Sequence, residues 1–374
     1  MIKDLAVPAT AIIISLIVVI LLHPQLVKLA LKKDIVDKPN ARRLNRTPIP
    51  VLGGIGVFAG FATALIFSAT AFSITISYIS LIAIAIMLIV GLVDDIRDLK
   101  PKTKFLAQIV IITALYFLCD VRIDNFHGTF GIDGITEALS LPLTIFACVG
   151  LINSINLIDG IDGLSSGYAI AASLLFLIFG YIQGNATDIV LSSSLIGALI
   201  PFFIFNVFGK KNKMFIGDSG SHSLGLIFCI ITLGIINSDT TSTDTAISNS
   251  TIPFCLAVMA HPVMDTLRVM TMRILNGNPP FKADKTHLHH IIIAAGTTHL
   301  ATTTIIISLN IAVVAIWYVS YTMGATATIQ FFATFFAATI FIVLPYFIIK
   351  KHVNKKNTGR IENKEGITIK RQTA

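Results

Sequence analysis

Six aspartates stand at the ends of long apolar runs: Asp94, Asp95, Asp159, Asp162, Asp218 and Asp265. A carboxylate beside hydrocarbon is costly, so each needs a partner and each is read first as functional. They come from four separate stretches, and helix ends gathered on one face would bring them together. Asp94 and Asp95 are adjacent, and such neighbours repel unless a cation or a proton lies between them. Arg97, Lys100 and Lys102 follow closely, which suits either a polar helix terminus or an anionic, phosphate-bearing ligand.

The stretch NSINLIDGIDG (153–163) spaces Asn153, Asn156 and Asp159 three residues apart, on one face of a helix. Gly160 and Gly163 then let the backbone turn and approach a ligand. A helix C-cap explains one Asn and one Gly, but not two Asn and two Asp. The stretch has no Lys or Arg, so a divalent cation is the natural compensation, and hard oxygen ligands suit Mg²⁺. In MFIGDSG (214–220), Asp218 is either an N-cap for the next apolar run or a metal ligand, and the two roles are compatible. PFKADKTHLHH (280–290) sets His287, His289 and His290 beside Lys282 and Lys285. A zinc site is one reading, but no Cys is near, and imidazoles donating to phosphate oxygens suit the harder carboxylate surroundings better. His261 reads as a packed core residue, and Asp265 with Arg268, three residues on, as either a structural pair or part of the site. ARRLNRTPIPVLGGIGVFAG (41–60) is a basic, Pro-broken loop running into a Gly-rich helix start, with Gly53, Gly54 and Gly56 admitting close packing.

The elements that position these residues are membrane helices. Of 374 residues, 54% are hydrophobic and 13% charged, and the mean hydropathy is +0.82. Those values exclude a soluble enzyme, a disordered chain and a disulfide-stapled secreted domain. A spanning helix needs about 20 apolar residues, and such runs fall near 5–22, 51–70, 74–93, 105–119, 141–157, 165–182, 189–208, 219–236, 251–270, 300–320 and 328–349. The expected fold is all-α and polytopic, with about eleven transmembrane helices. The runs lack the alternating polarity of barrel strands. All but two of the 28 Lys and Arg lie in segments 23–50, 94–104, 209–218, 268–299 and 350–374, the exceptions being Lys3 and Arg122. The positive-inside rule then puts the N-terminus outside and the C-terminus in the cytoplasm. Residues 1–349 read as one multi-span catalytic domain and 350–374 as a mobile, basic cytoplasmic tail. Lys3 is offset by Asp4 and no small-residue cleavage site closes the first run, so it reads as a span and not as a cleaved leader. Cys119, Cys148, Cys229 and Cys255 have no paired spacing and read as small core hydrophobes.

VDKPNARR with PIPVLGG, then GLVDD, NSINLIDGIDG, MFIGDSG and PFKADKTHLHH, occur in this order from about Asp37 to His290. Together they resemble the polyprenyl-phosphate N-acetylhexosamine-1-phosphate transferase family. The chain looks like the GlcNAc-1-phosphate branch. The phospho-MurNAc-pentapeptide translocase branch, the alternative, typically shows TPTMGG and three contiguous His where this chain has IPVLGG and HLHH. His222 departs from the family pattern, standing where a small or apolar residue is expected.

The resemblance implies a transferase that moves N-acetylhexosamine-1-phosphate from a UDP-sugar to undecaprenyl phosphate, releasing UMP and starting a cell-surface polysaccharide. It implies Mg²⁺, with Mn²⁺ as a substitute, held by Asp218 and Asn156. Asp94, Asp95, Asp159, His289 and His290 match catalytic positions. Arg46, Lys102 or Lys104, Asp162, Asn206, Phe215 and His287 match substrate-binding positions, Phe215 as a stacking surface for uridine. The implied setting is the bacterial inner membrane with the active site on its cytoplasmic face. The implied partners are the two substrates, the bilayer and a second copy of the chain, with no nucleic acid. A secondary transporter is the competing class, but transporter sites lie near the midplane, whereas these acids gather at one interface beside basic loops.

Overall fold

The computed structural model describes residues 2–37, 48–238, 245–280 and 285–353. The apolar runs all become helices, since a bilayer offers no water to satisfy exposed backbone groups. In order they are α1 (Ile2–Lys32), α2 (Gly53–Phe72), α3 (Tyr78–Arg97), α4 (Pro101–Cys119), α5 (Glu137–Leu157), α6 (Leu164–Gln183) and α7 (Ala186–Phe208). There follow α8 (Gly217–Asn237), α9 (Thr245–Asn249), α10 (Thr251–Val258), α11 (Ala260–Leu275), α12 (Leu288–Ala294), α13 (His299–Thr322) and α14 (Ala327–Ala338). A π-helical turn at Thr339–Val343 carries α14 onward, so that its span covers Ala327–Val353. A two-stranded antiparallel ribbon pairs β1 (Val36–Asp37) with β2 (Ile49–Pro50), Val36 opposite Pro50.

Among the described residues, ten helices are long and apolar enough to cross a membrane, and α10 with α11 would make an eleventh. That pair departs from the continuous span expected near 251–270, because it is bent by 70°. The cause is local. Pro262 lacks an N–H and its ring crowds the carbonyl four residues earlier, that of Val258. The released Val258 carbonyl instead accepts from the Tyr168 hydroxyl at 2.5 Å and from Asn310 Nδ2 at 3.2 Å. His261 N donates to Asn310 Oδ1 at 2.9 Å. Two side chains thus satisfy a break that the apolar sequence conceals.

Other boundaries move the chemistry onto helices. α3 runs to Arg97 instead of ending near residue 93, so Asp94 and Asp95 lie in its last turn. α4 starts at Pro101, where the missing N–H costs nothing, and Lys102 and Lys104 therefore sit in its first turn. The last span continues to Val353, past the expected tail start at 350. The rest of that tail lies outside the described residues.

α8 is the central post, with 89% of its apolar window buried in the protein against 22% for α1. Leu226, Phe228 and Ile231 on it have no exposed surface. Packing of this kind replaces the hydrophobic drive that lipid cannot supply between helices. α3 lies so close to the start of α8 that a Cβ on Gly91 would come within 2.4 Å of Ser219 Cα. The four cysteines are unpaired thiols, as their spacing implies.

Candidate active site

The start of α8 has no side-chain cap of its own, since Ile216 stands at the N-cap. The cap comes from α3. Asp95 Oδ1 accepts from Asp218 N at 2.8 Å, and Oδ2 accepts from Ser219 N at 3.0 Å. One carboxylate thus takes two of the free N–H groups at the positive end of a helix, where negative charge is favoured. This corrects the reading of Asp218 as the N-cap: Asp218 is the second residue of the helix and is itself held in place by Asp95. The PIPVLGG segment clamps the same turn from the other side. Phe215 N donates to Pro50 O at 2.8 Å, while Gly53 N and Gly54 N donate to Phe215 O and Ile216 O at 3.0 and 2.9 Å.

With its backbone fixed, the Asp218 carboxylate meets side chains from two other helices, α5 and α4. Oδ1 accepts from Asn156 Nδ2 at 2.9 Å, and the same amide donates to Ser221 Oγ at 2.8 Å. Oδ2 lies 3.5 Å from the Lys104 ammonium of α4. Lys104 also forms an ion pair with Asp94 Oδ2, and Asp94 Oδ1 accepts from Leu99 N at 2.7 Å. The adjacent aspartates therefore have different partners: Asp95 binds backbone, Asp94 a cation. Lys104 is the basic residue drawn into this centre, whereas Lys102 is exposed. His222 adds an unexpected imidazole. Its Nδ1 donates to Asp218 O at 2.9 Å, and it lines a narrow cleft with Asp94, Lys104 and Gln108.

Removing the Asp95 carboxylate strips α8 of both acceptors. Asp95→Ala is expected to cost about 1–2 kcal/mol of stability, and Asp95→Asn, which keeps one acceptor oxygen, less. Thermal unfolding in detergent measures the difference.

The second part of the site is the turn between α5 and α6. Asp159 Oδ1 accepts from Ser165 Oγ at 2.5 Å. Burial pushes the Asp159 carboxyl up to about 7. The folded protein then holds this proton more tightly than the unfolded chain, whose carboxyl has the ordinary value of 3.8. Stability from Asp159 is therefore full below about 4 and is lost as pH rises toward 7. Asp159→Asn should abolish that loss, read as a smaller fall in thermal midpoint between about pH 4 and about pH 7.

Asp162 behaves oppositely. Burial works to raise its carboxyl, but hydrogen bonds from His299 and Lys213 outweigh it and hold it below the ordinary range. Asp162 Oδ2 lies 2.7 Å from Lys213 Nζ and 2.9 Å from His299 Nδ1. Asn206 ties this turn to the 209–216 loop. Its Oδ1 accepts from Gly163 N at 2.7 Å and its Nδ2 donates to Met214 O at 3.0 Å. Both ends of the Asn206 amide are thus used within the protein, so it shapes the pocket wall. Phe215, half-buried, has the Lys213 ammonium 5.8 Å from its ring centroid.

The histidines form the third part. Asp265 and Arg268 are a buried pair at 2.7 Å, as one of the two readings has it. Asp265 also holds His287, with Nδ1 2.9 Å from Oδ2, and accepts from Leu288 N at 3.2 Å. His289 is fully buried, and neither ring nitrogen has a hydrogen-bond partner among the described residues. Burial pushes its imidazole well below the usual range. It packs on the turn that carries Asp159: a Cβ on Gly160 would sit 2.4 Å from His289 Nε2. The close approach at Gly160 is thus made by a histidine. His290 lies beside it with ring centroids 4.2 Å apart. Arg46 and Lys282 lie outside the described residues.

Carboxylates from α3 and α8 therefore converge with the Lys104 ammonium between two of them, while the Asn156 amide of α5 turns its nitrogen to Asp218 Oδ1, and carboxylate oxygens suit a hard cation. Among the described residues, no three His, Cys, Asp or Glu side chains form a complete metal cage. Asp94, Asp95 and Asp218 lie at helix ends and Asp159 and Asp162 in a connecting turn, as an interfacial site requires, whereas Asp265 lies inside α11. Ser165, Ser221, Gln108 and His299 belong to the site and carry no motif. Ser221, three residues after Asp218 on α8, and Gln108, four after Lys104 on α4, are the two that helical spacing points to.

Residues 76–236 match the model of glycosyl transferase family 4. A probable undecaprenyl-phosphate N-acetylglucosaminyl 1-phosphate transferase of Bacillus subtilis (strain 168) is 28% identical over 360 residues, 95% of this chain and 93% of that protein. The undecaprenyl-phosphate α-N-acetylglucosaminyl 1-phosphate transferase of Salmonella typhi is 30% identical over 324 residues, 86% of this chain and 84% of the relative. That of Escherichia coli (strain K12) is 30% identical over 275 residues, 72% of each chain. With its many apolar helices and a carboxylate centre built from the matched segment, this multi-pass membrane protein belongs to glycosyl transferase family 4.

Proposed function

We propose that the chain transfers N-acetylglucosamine-1-phosphate from UDP-N-acetylglucosamine to undecaprenyl phosphate, releasing UMP, on the cytoplasmic face of the bacterial inner membrane. The observation that carries this reading is the meeting of Asp94, Asp95, Asn156 and Asp218 from three helices, with Lys104 between Asp94 and Asp218, in a family whose relatives are named for this transfer. An oxygen of the lipid phosphate would bond to the β-phosphorus as the bond from that phosphorus to the bridging oxygen breaks. The bridging oxygen leaves with UMP. Such phosphoryl chemistry depends on positioning and charge neutralisation.

Asp218 and Asn156 would hold Mg²⁺, or Mn²⁺ in its place, which when bound supplies charge neutralisation to the pyrophosphate and the departing UMP. Asp95 keeps the Asp218 backbone in place. Asp94 receives any residual proton of the attacking phosphate, and Lys104 offers its ammonium to phosphate oxygens. Phe215, Asp162 and Asn206 shape the nucleoside end, while His289 and His290 stand at the pyrophosphate side. The basic loops beside these groups support a cytoplasmic placement through the positive-inside rule.

Purified protein supplied with UDP-N-acetylglucosamine, undecaprenyl phosphate and Mg²⁺ should release UMP. Release should stop with EDTA and resume with excess Mg²⁺ or Mn²⁺. UMP released equally well without the lipid would show hydrolysis and overturn the reading.

A further inference from the structure

The Asp94 side chain is 2% exposed and the Asp218 side chain 38%, and the cation between them is supplied by the protein. Lys104 reaches from the first turn of α4, pairs with Asp94 Oδ2, and lies 3.5 Å from Asp218 Oδ2. A buried carboxylate without a compensating charge is strongly unfavourable, so the ammonium has a structural reason to be there. It also lies 3.5 Å from an oxygen of the carboxylate that would hold the metal ion.

We propose that Lys104 is an internal competitor of the divalent cation: its ammonium holds the space between Asp94 and Asp218 and must swing away before a metal ion is bound. This rests on the transferase reading, which takes Asp218 as the metal-binding carboxylate. Mg²⁺ needs oxygens at about 2.0–2.1 Å in near-octahedral array, and an ammonium within reach of the same oxygens blocks that array and repels the ion. Lys is suited to leaving, as a compact charge on a flexible stem. Its side chain is 24% exposed, so it has a path outward.

A phosphate-bearing substrate gives the displaced ammonium a new partner. Metal and substrate would then favour each other's binding, and that coupling is reciprocal. The protein alone would bind metal weakly, since only the fraction with Lys104 withdrawn is competent.

The test is Mn²⁺ binding to the purified full chain in detergent, followed by electron paramagnetic resonance with no substrate present. Lys104→Met should bind Mn²⁺ about tenfold or more tightly than the wild type, because the competing state is removed. Lys104→Gln, whose amide still donates to Asp94, carries the same expectation should the Met variant fail to fold. Asp218→Asn should lose the bound Mn²⁺ in either background. Lys104 variants binding no more tightly than the wild type, with Asp218→Asn still abolishing binding, overturn the competitor role and leave the transferase reading intact. Mn²⁺ binding that survives Asp218→Asn overturns the metal assignment itself.

Discussion

Asp218→Asn is expected to lower the rate of UMP release by about 10³-fold, the scale on which loss of one preorganised charge-stabilising group acts. The substitution keeps the shape of the side chain and an oxygen able to accept from Asn156 Nδ2, now at 2.9 Å. What it removes is the negative charge facing Lys104 and the site of a bound cation. The fold should barely register the change. Asp218 does not cap α8, because Asp95 accepts the Asp218 and Ser219 N–H groups, and those bonds use the backbone at position 218. The thermal midpoint in detergent should therefore stay near that of the wild type while turnover collapses. Wild-type turnover in Asp218→Asn would remove this residue from the centre of the account.

Asp265→Ala should have the largest effect on stability, a loss of about 3–5 kcal/mol from stranding a buried charge. Asp265 is fully buried and Arg268 is 6% exposed. The carboxylate accepts from Arg268 Nη2 and Nε at 2.7 and 3.2 Å, from His287 Nδ1 at 2.9 Å and from Leu288 N at 3.2 Å. Without it the guanidinium keeps its bond to Thr286 O at 2.8 Å and its place 3.5 Å from the Tyr346 ring centroid, but no other carboxylate among the described residues pairs with it. Arg268→Met added to Asp265→Ala should recover part of the loss, because the stranded cation goes with it. Unfolding in detergent, compared across the single and double variants, reads this directly. Full additivity of the two losses would contradict the buried pair. Activity should fall further than folding does, since His287 and Leu288 position the helix that carries His289.

The spans, the acidic helix ends and the family resemblance were legible because apolar length and ordered motifs are local properties of the chain. The break at Met259 was not, since the run stays apolar through it. Its sign, Pro262, acts on a carbonyl four residues back, and the bonds that make the break tolerable come from Tyr168 on α6 and Asn310 on α13. The division of labour between Asp94 and Asp95 was hidden for a similar reason. Two adjacent residues of one motif look equivalent until the start of α8 arrives beside one and Lys104 beside the other. Asn206 reads as a pocket residue by resemblance, yet its amide joins Gly163 to Met214, a link between segments far apart in sequence. His299 had no signal at all. It opens α13 in an unremarkable Thr-rich stretch and gains meaning only through Asp162 Oδ2, 2.9 Å away.

The most direct test of the account follows the β-phosphate itself. Purified protein is incubated with UDP-N-acetylglucosamine carrying radioactive phosphorus at the β position, undecaprenyl phosphate and Mg²⁺, and the mixture is partitioned between organic solvent and water. The account predicts that the label enters the lipid phase in step with UMP release, because sugar and β-phosphate move together. Label remaining in the water phase as UDP while sugar enters the lipid would show transfer of the sugar alone, and would contradict it.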